Sequence, residues 1–150
     1  MKIKAPFGEL WLDADNMGLT AVSFHKIDND HTNVFTERTA LELSEYFAGK
    51  RQIFTVPLSI QTGTTFQQNV WQALATIPFG ETRSYLEIAQ AIHSPKAVRA
   101  IGQANSKNPL PIIIPCHRVI GKNGKLTGYL GSSEQDGLSI KQFLLELEKS

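Results

Sequence analysis

The sequence has one cysteine among its 150 residues and no long apolar run. A single cysteine excludes any disulfide within the chain and any zinc site built from several thiolates. Because no window of about 18 residues is apolar throughout and the N-terminus has no apolar signal core, nothing in the sequence indicates membrane insertion or export. We therefore expect a cytoplasmic protein, in which a reducing environment keeps the thiol free, and we expect no cofactor.

Charge is nearly balanced over the whole chain, at a formal +1, but it is unevenly distributed. Residues 1–63 carry six basic and eight acidic side chains, whereas residues 81–125 carry seven basic and two acidic ones. The local charge of +5 can neutralise a few phosphates and so favours moderate, salt-sensitive binding to DNA. The alternative is a solvated basic face that binds nothing.

Residues 1–62 predict a small α/β module. Three segments of alternating polarity are separated by glycine-containing turns and predict an antiparallel sheet, at residues 2–4, 9–13 and 19–24. A helical pattern then extends from Val34 to Ala48 and ends at Gly49, with an apolar face that contains Leu41, Tyr46 and Phe47. Residues 58–62 are interpreted as a linker. The module contains no recognisable chemistry.

Residues 63–150 predict a second, mostly helical domain. Thr64 and Gln67 form a capping box at the start of a helix in which Trp71 is interpreted as a core residue. Ser84 and Glu87 form a second capping box, which opens another helix. A final amphipathic helix is predicted at residues 140–149.

A third helix is predicted to start at Ser94 and Pro95, because serine is a good N-cap and proline fits the first helical position. With the preceding helix it forms a helix-turn-helix. Arg99 lies opposite the small apolar residues of this helix, and its alanine and glycine content permits close approach to a partner. Many helical hairpins bind nothing, so a purely structural role is the alternative.

Cys116 follows the apolar run Ile112–Ile114 and precedes His117 and Arg118. The run predicts a buried strand that ends at Pro115, because proline cannot donate a ladder hydrogen bond, and that presents the thiol at its tip. A lone cysteine is usually a small buried apolar residue. An adjacent imidazole or cation, however, raises the reactive thiolate fraction, so the neighbours favour Cys116 as a nucleophile.

The motif Pro115-Cys-His-Arg-Val119 resembles the active-site signature of the O6-alkylguanine-DNA alkyltransferases. Similarity to the C-terminal domain of that family extends from Gly63 to Gly131 and resumes at Ile140 to Glu148, whereas the N-terminal third matches loosely. The resemblance implies an α/β (α+β) fold in two domains. Residues 1–62 would form a ribonuclease H-like module with a small antiparallel sheet and a helix, and residues 63–150 a winged helix-turn-helix-like domain.

The function that the resemblance implies is DNA repair by a methylated-DNA-[protein]-cysteine S-methyltransferase. A methyl or larger alkyl group would pass from O6-alkylguanine, and also from O4-alkylthymine, in double-stranded DNA to Cys116. The thioether product is inert and no second thiol exists to regenerate it, so each molecule would act once. The protein would be a monomer that binds DNA through the minor groove.

The resemblance also implies the roles of individual residues. Cys116 is the nucleophile, His117 the base that acts through a water molecule, and Glu148 the acid that orients the histidine. Asn108 braces the active-site turn. The guanine pocket would be lined by Val119, Tyr129, Leu130 and Gly131.

On DNA, Tyr85 would rotate the damaged nucleotide out of the stack, and Arg99 would fill the space that it leaves. Further DNA contacts are expected from the same helix-turn-helix, namely Lys96, Gln103 and Asn105. A purely structural role is the alternative for several of these residues. Tyr85 could be a packing residue at a helix start, Asn108 a turn residue and Glu148 a surface acid.

Two departures from the family pattern are visible. Residues 132–136 are inserted after the glycine of the pocket, and we expect a loop there at the pocket rim. The cysteines and histidines with which some family members hold zinc in the N-terminal domain are absent, so we predict no metal.

Two other classes of function compete with alkyl transfer. A damage sensor or helix-turn-helix regulator would bind DNA without chemistry, but the sensor relatives replace the cysteine, and a regulator would normally have more base-reading side chains on its second helix. A cysteine hydrolase would need an oxyanion-binding motif, and none is evident.

Overall fold

The computed structural model describes residues 1–121, 124 and 134–149 of the chain. The chain divides into two compact units, Met1–Thr62 and Gly63–Ser150. A small antiparallel sheet lies in the first unit, and the described residues of the second unit are mostly helical, so the predicted mixed α/β class is confirmed. No helix in the described ranges is long and apolar enough to cross a membrane.

The first unit contains a three-stranded sheet in the order β1-β2-β3, formed by Lys2–Ala5, Gly8–Ala14 and Leu19–Ser23. All neighbouring strands are antiparallel, as the alternating sequence pattern predicted. Alternation in the central strand buries every second side chain, because successive side chains of a strand point to opposite faces. The buried positions are Leu10, Leu12 and Ala14.

Helix α1 (Val34–Phe47) begins at Asn33, whose side chain accepts hydrogen bonds from the first free amides of the helix. Leu41 does not belong to the buried face, contrary to the prediction, and is 61% exposed. Glu42 occupies that face instead, because its carboxylate accepts bonds from the backbone amides of Thr55 (2.9 Å) and Val56 (3.3 Å). A buried carboxylate with such partners can replace an apolar residue in a helix face.

The second unit contains helices α2 (Thr65–Leu74), α3 (Tyr85–Ala91), α4 (Val98–Ser106) and α5 (Glu134–Lys149). Both predicted capping boxes are present, at the starts of α2 and α3. Trp71 of α2 is a core residue, as predicted, and its Nε1 donates a 2.9 Å hydrogen bond to the carbonyl of Ala104 in α4. This bond anchors the second helix of the helix-turn-helix to the domain core.

The start of α4 differs from the prediction. The helix begins at Val98, and its N-cap Ala97 has no side-chain cap. The predicted cap residue Ser94 accepts the amide of Ala97 through its own backbone carbonyl at 2.9 Å, so residues 94–97 form a turn. His93, with φ of 60°, redirects the chain into this turn.

The last helix is longer than predicted, because it begins at Glu134 and not at residue 140. The expectation of a loop is therefore wrong for residues 134–136, and residues 132 and 133 lie outside the described part. Gly137, which directly follows the predicted loop, is a buried helical residue.

The predicted strand before the cysteine is also absent. Residues 111–114 form a tight turn, in which Ile112 has φ of 73° and the amide of Ile114 donates to the carbonyl of Leu110 at 2.8 Å. Among the described residues no strand of either sheet pairs with the apolar run, and its flanking prolines cannot donate ladder bonds. Burial of an apolar run alone does not distinguish a strand from a packed turn.

The chain leaves this turn through a short 3-10 helix, Cys116–Arg118, and continues into strand β5 (Val119–Ile120). Strand β5 pairs in parallel with β4 (Arg83–Ser84), and neither strand was predicted. Because Ser84 is also the N-cap of α3, this two-residue ladder links the start of the helix-turn-helix to the segment that contains the cysteine.

Substitution of Gly63 tests whether close contact with the Trp71 ring constrains the backbone at the start of the second unit. Its φ is +95°, and a Cβ there would lie 2.6 Å from the Trp71 ring. We expect Gly63→Ala to lower the free energy of unfolding by about 2 kcal/mol more than Gly124→Ala, measured by urea denaturation, because the ring must shift as well. Gly124 is the control, since it has φ of +77° and its added Cβ would meet no atom of the described residues within 4 Å. Equal losses would show that the Trp71 contact is not a constraint.

Candidate active site

Cys116 is the first residue of the 3-10 helix and has no solvent exposure. Its backbone is fixed on both sides: its amide donates to the carbonyl of Ile114 at 2.7 Å, and its carbonyl accepts from Asn105 Nδ2 at 3.3 Å. These bonds hold the backbone of the thiol-bearing residue in one conformation.

Asn108 braces the turn that precedes the cysteine. Its Nδ2 donates to the carbonyl of Ile114 at 2.9 Å, and its Oδ1 accepts from the amide of Leu110 at 2.9 Å. One buried side chain thus connects the two ends of a turn that contains a strained residue, Ile112. The geometry is that of a structural brace.

Glu148, near the end of α5, is the central acceptor of the site. Its carboxylate accepts two bonds from Arg118, from Nε at 2.8 Å and from Nη2 at 3.0 Å. Nε2 of His117 lies 2.7 Å from Oε2, and the amide of Gly80 donates to Oε1 at 3.3 Å. Since an arginine is always protonated in proteins, this bidentate pair keeps the buried carboxylate ionised. Arg118 also donates to the carbonyl of Ile77 at 2.7 Å.

The surroundings of His117 favour its neutral form. Complete burial lowers the pKa of its imidazole below the usual value, although the hydrogen bond and charge of Glu148 act in the opposite direction. A neutral imidazole carries one proton, and the ionised Glu148 requires a donor, so we place that proton on Nε2. Nδ1 is then an unprotonated acceptor, and it has no hydrogen-bond partner among the described residues.

The helix-turn-helix carries the residues that we expected to contact DNA. Lys96, Arg99 and Gln103 are exposed. Tyr85, the first residue of α3, is half-buried, and its ring lies 3.9 Å from the position of a Cβ added to Gly102 in α4.

Asn105 does not fit the DNA-contact role that we predicted. It is only 2% exposed, and its side chain faces the carbonyl of Cys116 and not the surface. The reason is its position on α4, since it lies next to Ala104 on the buried face of the helix. Asn105 Oδ1, like His117 Nδ1, has no hydrogen-bond partner among the described residues.

Val119 is buried at the start of β5, directly after the 3-10 helix. The remaining predicted pocket residues, Tyr129, Leu130 and Gly131, lie outside the described residues. Within residues 1–121, 124 and 134–149, no three His, Cys, Asp or Glu side chains converge as metal ligands do.

Lys141 was not predicted as a site residue. It has no solvent exposure and donates from Nζ to the carbonyl of Val119 at 2.6 Å. Burial lowers the pKa of its ammonium to about 8, and interaction with Cys116 opposes that shift. A signal was present: Lys141 shares one helical face with the buried residues Leu144 and Glu148, at spacings of three and seven. Lysine is rarely fully buried, so its position in this apolar face indicates a possible site residue.

Fold and site together define a class of protein in which a helix-turn-helix unit also holds a buried thiol beside a histidine and a carboxylate. Comparison with known sequences agrees. Residues 65–150 match the domain described as "6-O-methylguanine DNA methyltransferase, DNA binding domain", and residues 1–60 match "6-O-methylguanine DNA methyltransferase, ribonuclease-like domain". The chain belongs to the 6-O-methylguanine DNA methyltransferase family.

Two curated relatives illustrate the similarity. The constitutive methylated-DNA--protein-cysteine methyltransferase of Bacillus subtilis is 63% identical over 108 residues, which cover 72% of this chain and 62% of that protein. The methylated-DNA--protein-cysteine methyltransferase of Methanosarcina mazei is 49% identical over 156 aligned positions, which cover 99% of this chain and 95% of that protein.

Among solved structures, Mycobacterium tuberculosis OGT in complex with DNA is similar in fold. Its TM-score is 0.84 at 44% sequence identity, and the match covers 99% of this chain and 91% of that one.

The Glu148 carboxylate should be essential for the stability of the second unit. We expect Glu148→Gln to lower the free energy of unfolding by about 3 kcal/mol, because it leaves the buried Arg118 guanidinium without its counter-charge. Glu146→Gln on the exposed side of the same helix is the control, and we expect a loss under about 0.5 kcal/mol. Chemical denaturation of both variants measures the difference. Similar losses would mean that the charge of Glu148 is dispensable.

Proposed function

We propose that this protein repairs DNA by direct reversal, transferring a methyl or larger alkyl group from O6-alkylguanine, and from O4-alkylthymine, in double-stranded DNA to Cys116. The observation that carries the proposal is the arrangement at the 3-10 helix. A buried thiol precedes a neutral histidine whose Nε2 is fixed by Glu148 and whose Nδ1 is an open acceptor. The names of the relatives and the match to the family's DNA-binding domain support the same activity.

The reaction is a displacement at a saturated carbon. The thiol of Cys116 gives its proton to Nδ1 of His117, directly or through a water molecule, and the thiolate attacks the alkyl carbon. A sulfur–carbon bond forms as the bond from carbon to guanine O6 breaks, and its electron pair leaves with the base. The guanine anion then takes up a proton, for which the hydroxyl of Tyr85 is the proposed donor.

Glu148 has two roles in this scheme. Its carboxylate fixes the imidazole in the tautomer that leaves Nδ1 free, and it stabilises the positive charge that appears when Nδ1 takes a proton. Arg118 is a supporting residue, since its guanidinium is used in the bonds to Glu148 and to the carbonyl of Ile77. Asn108 supports the reaction indirectly by holding the turn before Cys116.

The exposed residues of α4 are the proposed DNA contacts. Arg99, Lys96 and Gln103 lie at the surface, and the small residues Ala100 and Gly102 permit a close approach of the helix to the minor groove. Extrusion of a base costs a few kcal/mol, and Tyr85 with Arg99 would offset that cost. Asn105 is not proposed as a surface DNA contact, because it is buried. We assign it to the support of the Cys116 backbone, whose carbonyl accepts from its Nδ2.

The proposed chemistry and DNA binding would belong to the second unit alone. The unit of residues 63–150 contains every residue assigned above, whereas residues 1–62 carry a net negative charge and no assigned chemistry. The protein would act as a monomer. Transfer produces a thioether on the only cysteine, so each molecule would react once.

Intact mass spectrometry after incubation with duplex DNA that contains O6-methylguanine tests the proposal. We expect the chain to gain the mass of one methyl group in a one-to-one reaction. Cys116→Ser should gain none and still bind DNA, because a serine hydroxyl has nearly the same shape but does not ionise at neutral pH. Methyl transfer to the serine variant would disprove Cys116 as acceptor. Binding without a mass gain in the unmodified chain would instead favour the damage-sensor alternative.

Arg99 can be tested by comparing two substrates. We expect Arg99→Ala to slow repair of duplex O6-methylguanine by tenfold or more, since about 1.4 kcal/mol of lost extrusion energy has that effect. Reaction with free O6-benzylguanine, which needs no extrusion, should be nearly unchanged. Lys107→Ala removes one exposed charge beyond the end of α4 and is the control. Equal slowing of Arg99→Ala on both substrates would show a structural role.

A further inference from the structure

Asn105 holds a buried acceptor that the proposed reaction does not use. The residue is 2% exposed, and its Nδ2 donates to the carbonyl of Cys116 at 3.3 Å. A backbone carbonyl can only accept, so the amide must turn Nδ2 toward it, which leaves Oδ1 as the open end of the side chain. Oδ1 has no hydrogen-bond partner among the described residues. Because a buried acceptor without a donor is costly, the amide indicates a ligand that supplies one.

The open acceptor lies close to where an alkylated base must enter. The alkyl carbon has to reach the sulfur of Cys116, and the Asn105 amide contacts the carbonyl of that same residue. In the described part of the chain one other buried side-chain atom lacks a partner, Nδ1 of His117, and the proposed reaction uses it to take the thiol proton. Burial keeps Asn105 away from the surface of the duplex, but an extruded base leaves the duplex and enters the protein.

The amide of Asn105 is held in place before a base arrives. Its backbone carbonyl accepts from the amide of Asn108 at 3.4 Å, and the carbonyl of the preceding residue, Ala104, accepts from Trp71 at 2.9 Å. The bond to the Cys116 carbonyl fixes the other end of the side chain. An acceptor that is already ordered loses little conformational entropy when a ligand binds, so it can contribute fully to recognition.

The chemistry of the substrate identifies the donor. Alkylation at O6 removes the proton from N1 of guanine, and N3 and N7 are acceptors. In DNA the 2-amino group is therefore the one hydrogen-bond donor that an O6-alkylguanine base retains. O4-alkylthymine has lost its N3 proton in the same way and offers no N–H group. An acceptor beside the thiol thus suits the guanine lesion and gives no hydrogen bond to the thymine lesion.

We infer that Asn105 is a specificity-determining residue whose Oδ1 accepts a hydrogen bond from the 2-amino group of the extruded O6-alkylguanine. A site that is built to bond such a group discriminates against bases that lack it, so the contact favours guanine over thymine lesions. Nδ2 meanwhile keeps its bond to the carbonyl of Cys116. The inference rests on the proposed function, because it takes O6-alkylguanine as the substrate.

Two free bases test the contact without DNA. O6-benzylhypoxanthine is O6-benzylguanine without its 2-amino group, so the pair isolates this one donor. We expect the unmodified chain to react at least about fivefold faster with O6-benzylguanine, which is the effect of one hydrogen bond between neutral groups. Intact mass over a time course gives both rates from the gain of one benzyl group. Equal rates would overturn the inference without any variant.

Asn105→Leu tests the origin of the preference. Loss of the bond to the Cys116 carbonyl should slow both reactions, whereas loss of Oδ1 should slow only the reaction of the guanine. We expect the ratio of the two rates to fall about fivefold, and Asn105→Ala to give the same ratio. Ser106→Ala is the control, because its hydroxyl donates to the carbonyl of Gln103 within the same helix, and it should keep the ratio of the unmodified chain. An unchanged ratio in folded Asn105→Leu would contradict the inference.

Asn105→Asp should move the ratio in the opposite direction. A carboxylate is a stronger acceptor than an amide oxygen, so the guanine should gain relative to the hypoxanthine even though both reactions slow. This variant decides the matter if the two apolar variants fail to fold. A ratio no higher than that of the unmodified chain would then count against the contact.

Binding separates this inference from the proposed function. Cys116→Ser cannot take up the alkyl group, so its affinities for duplexes with O6-methylguanine and with O6-methylhypoxanthine compare base recognition alone. We expect Asn105→Leu in this background to reduce the preference for the guanine lesion about fivefold. A preference that depends on Asn105, without methyl transfer by the unmodified chain, would refute the proposed function alone. Methyl transfer with a preference that does not depend on Asn105 would refute this inference alone.

Discussion

The second unit depends on one buried carboxylate. Glu148 accepts hydrogen bonds from Arg118, His117 and the amide of Gly80, and so joins α5, the 3-10 helix and the turn after α2. A buried carboxylate is tolerable only when its lone pairs are satisfied, and these partners satisfy them. The same contacts that make the carboxylate stable fix the tautomer of the histidine. One set of hydrogen bonds therefore serves both the packing of the site and its proposed chemistry. A substitution that alters these bonds affects both.

The segment around the thiol is held by side chains more than by regular secondary structure. Asn108 connects the ends of the preceding turn, and Asn105 holds the carbonyl of Cys116. A ladder of only two residue pairs joins this segment to the start of α3. Short elements of this kind have little cooperative stability of their own. Their geometry must come from the surrounding helices, and the bond from Trp71 to the backbone of α4 shows how one of those helices is fixed.

The sequence predicted the features that depend on local chemistry. The strands of the first unit follow from alternation, and the starts of α2 and α3 follow from capping boxes that involve residues three apart. Features that depend on distant partners were missed. The turn at 111–114 exists because Asn108 reaches across it, and the burial of Asn105 follows from the position of Cys116. Lys141 lies in an apolar face because a distant carbonyl accepts a hydrogen bond from its ammonium. An apolar run, an amide or a lysine does not by itself reveal such a partner.

The brace formed by Asn108 has a consequence for chemical ageing. Asparagine side chains lose ammonia when the backbone nitrogen of the next residue attacks the amide carbon, and that attack requires a nitrogen that can give up a hydrogen. The next residue here is Pro109, whose nitrogen has none. Conversion to aspartate would replace a donor by a carboxylate oxygen facing the carbonyl of Ile114. Under the proposed function each molecule reacts once, so its unused site must stay intact until it meets a lesion, and Pro109 blocks this route of spontaneous decay.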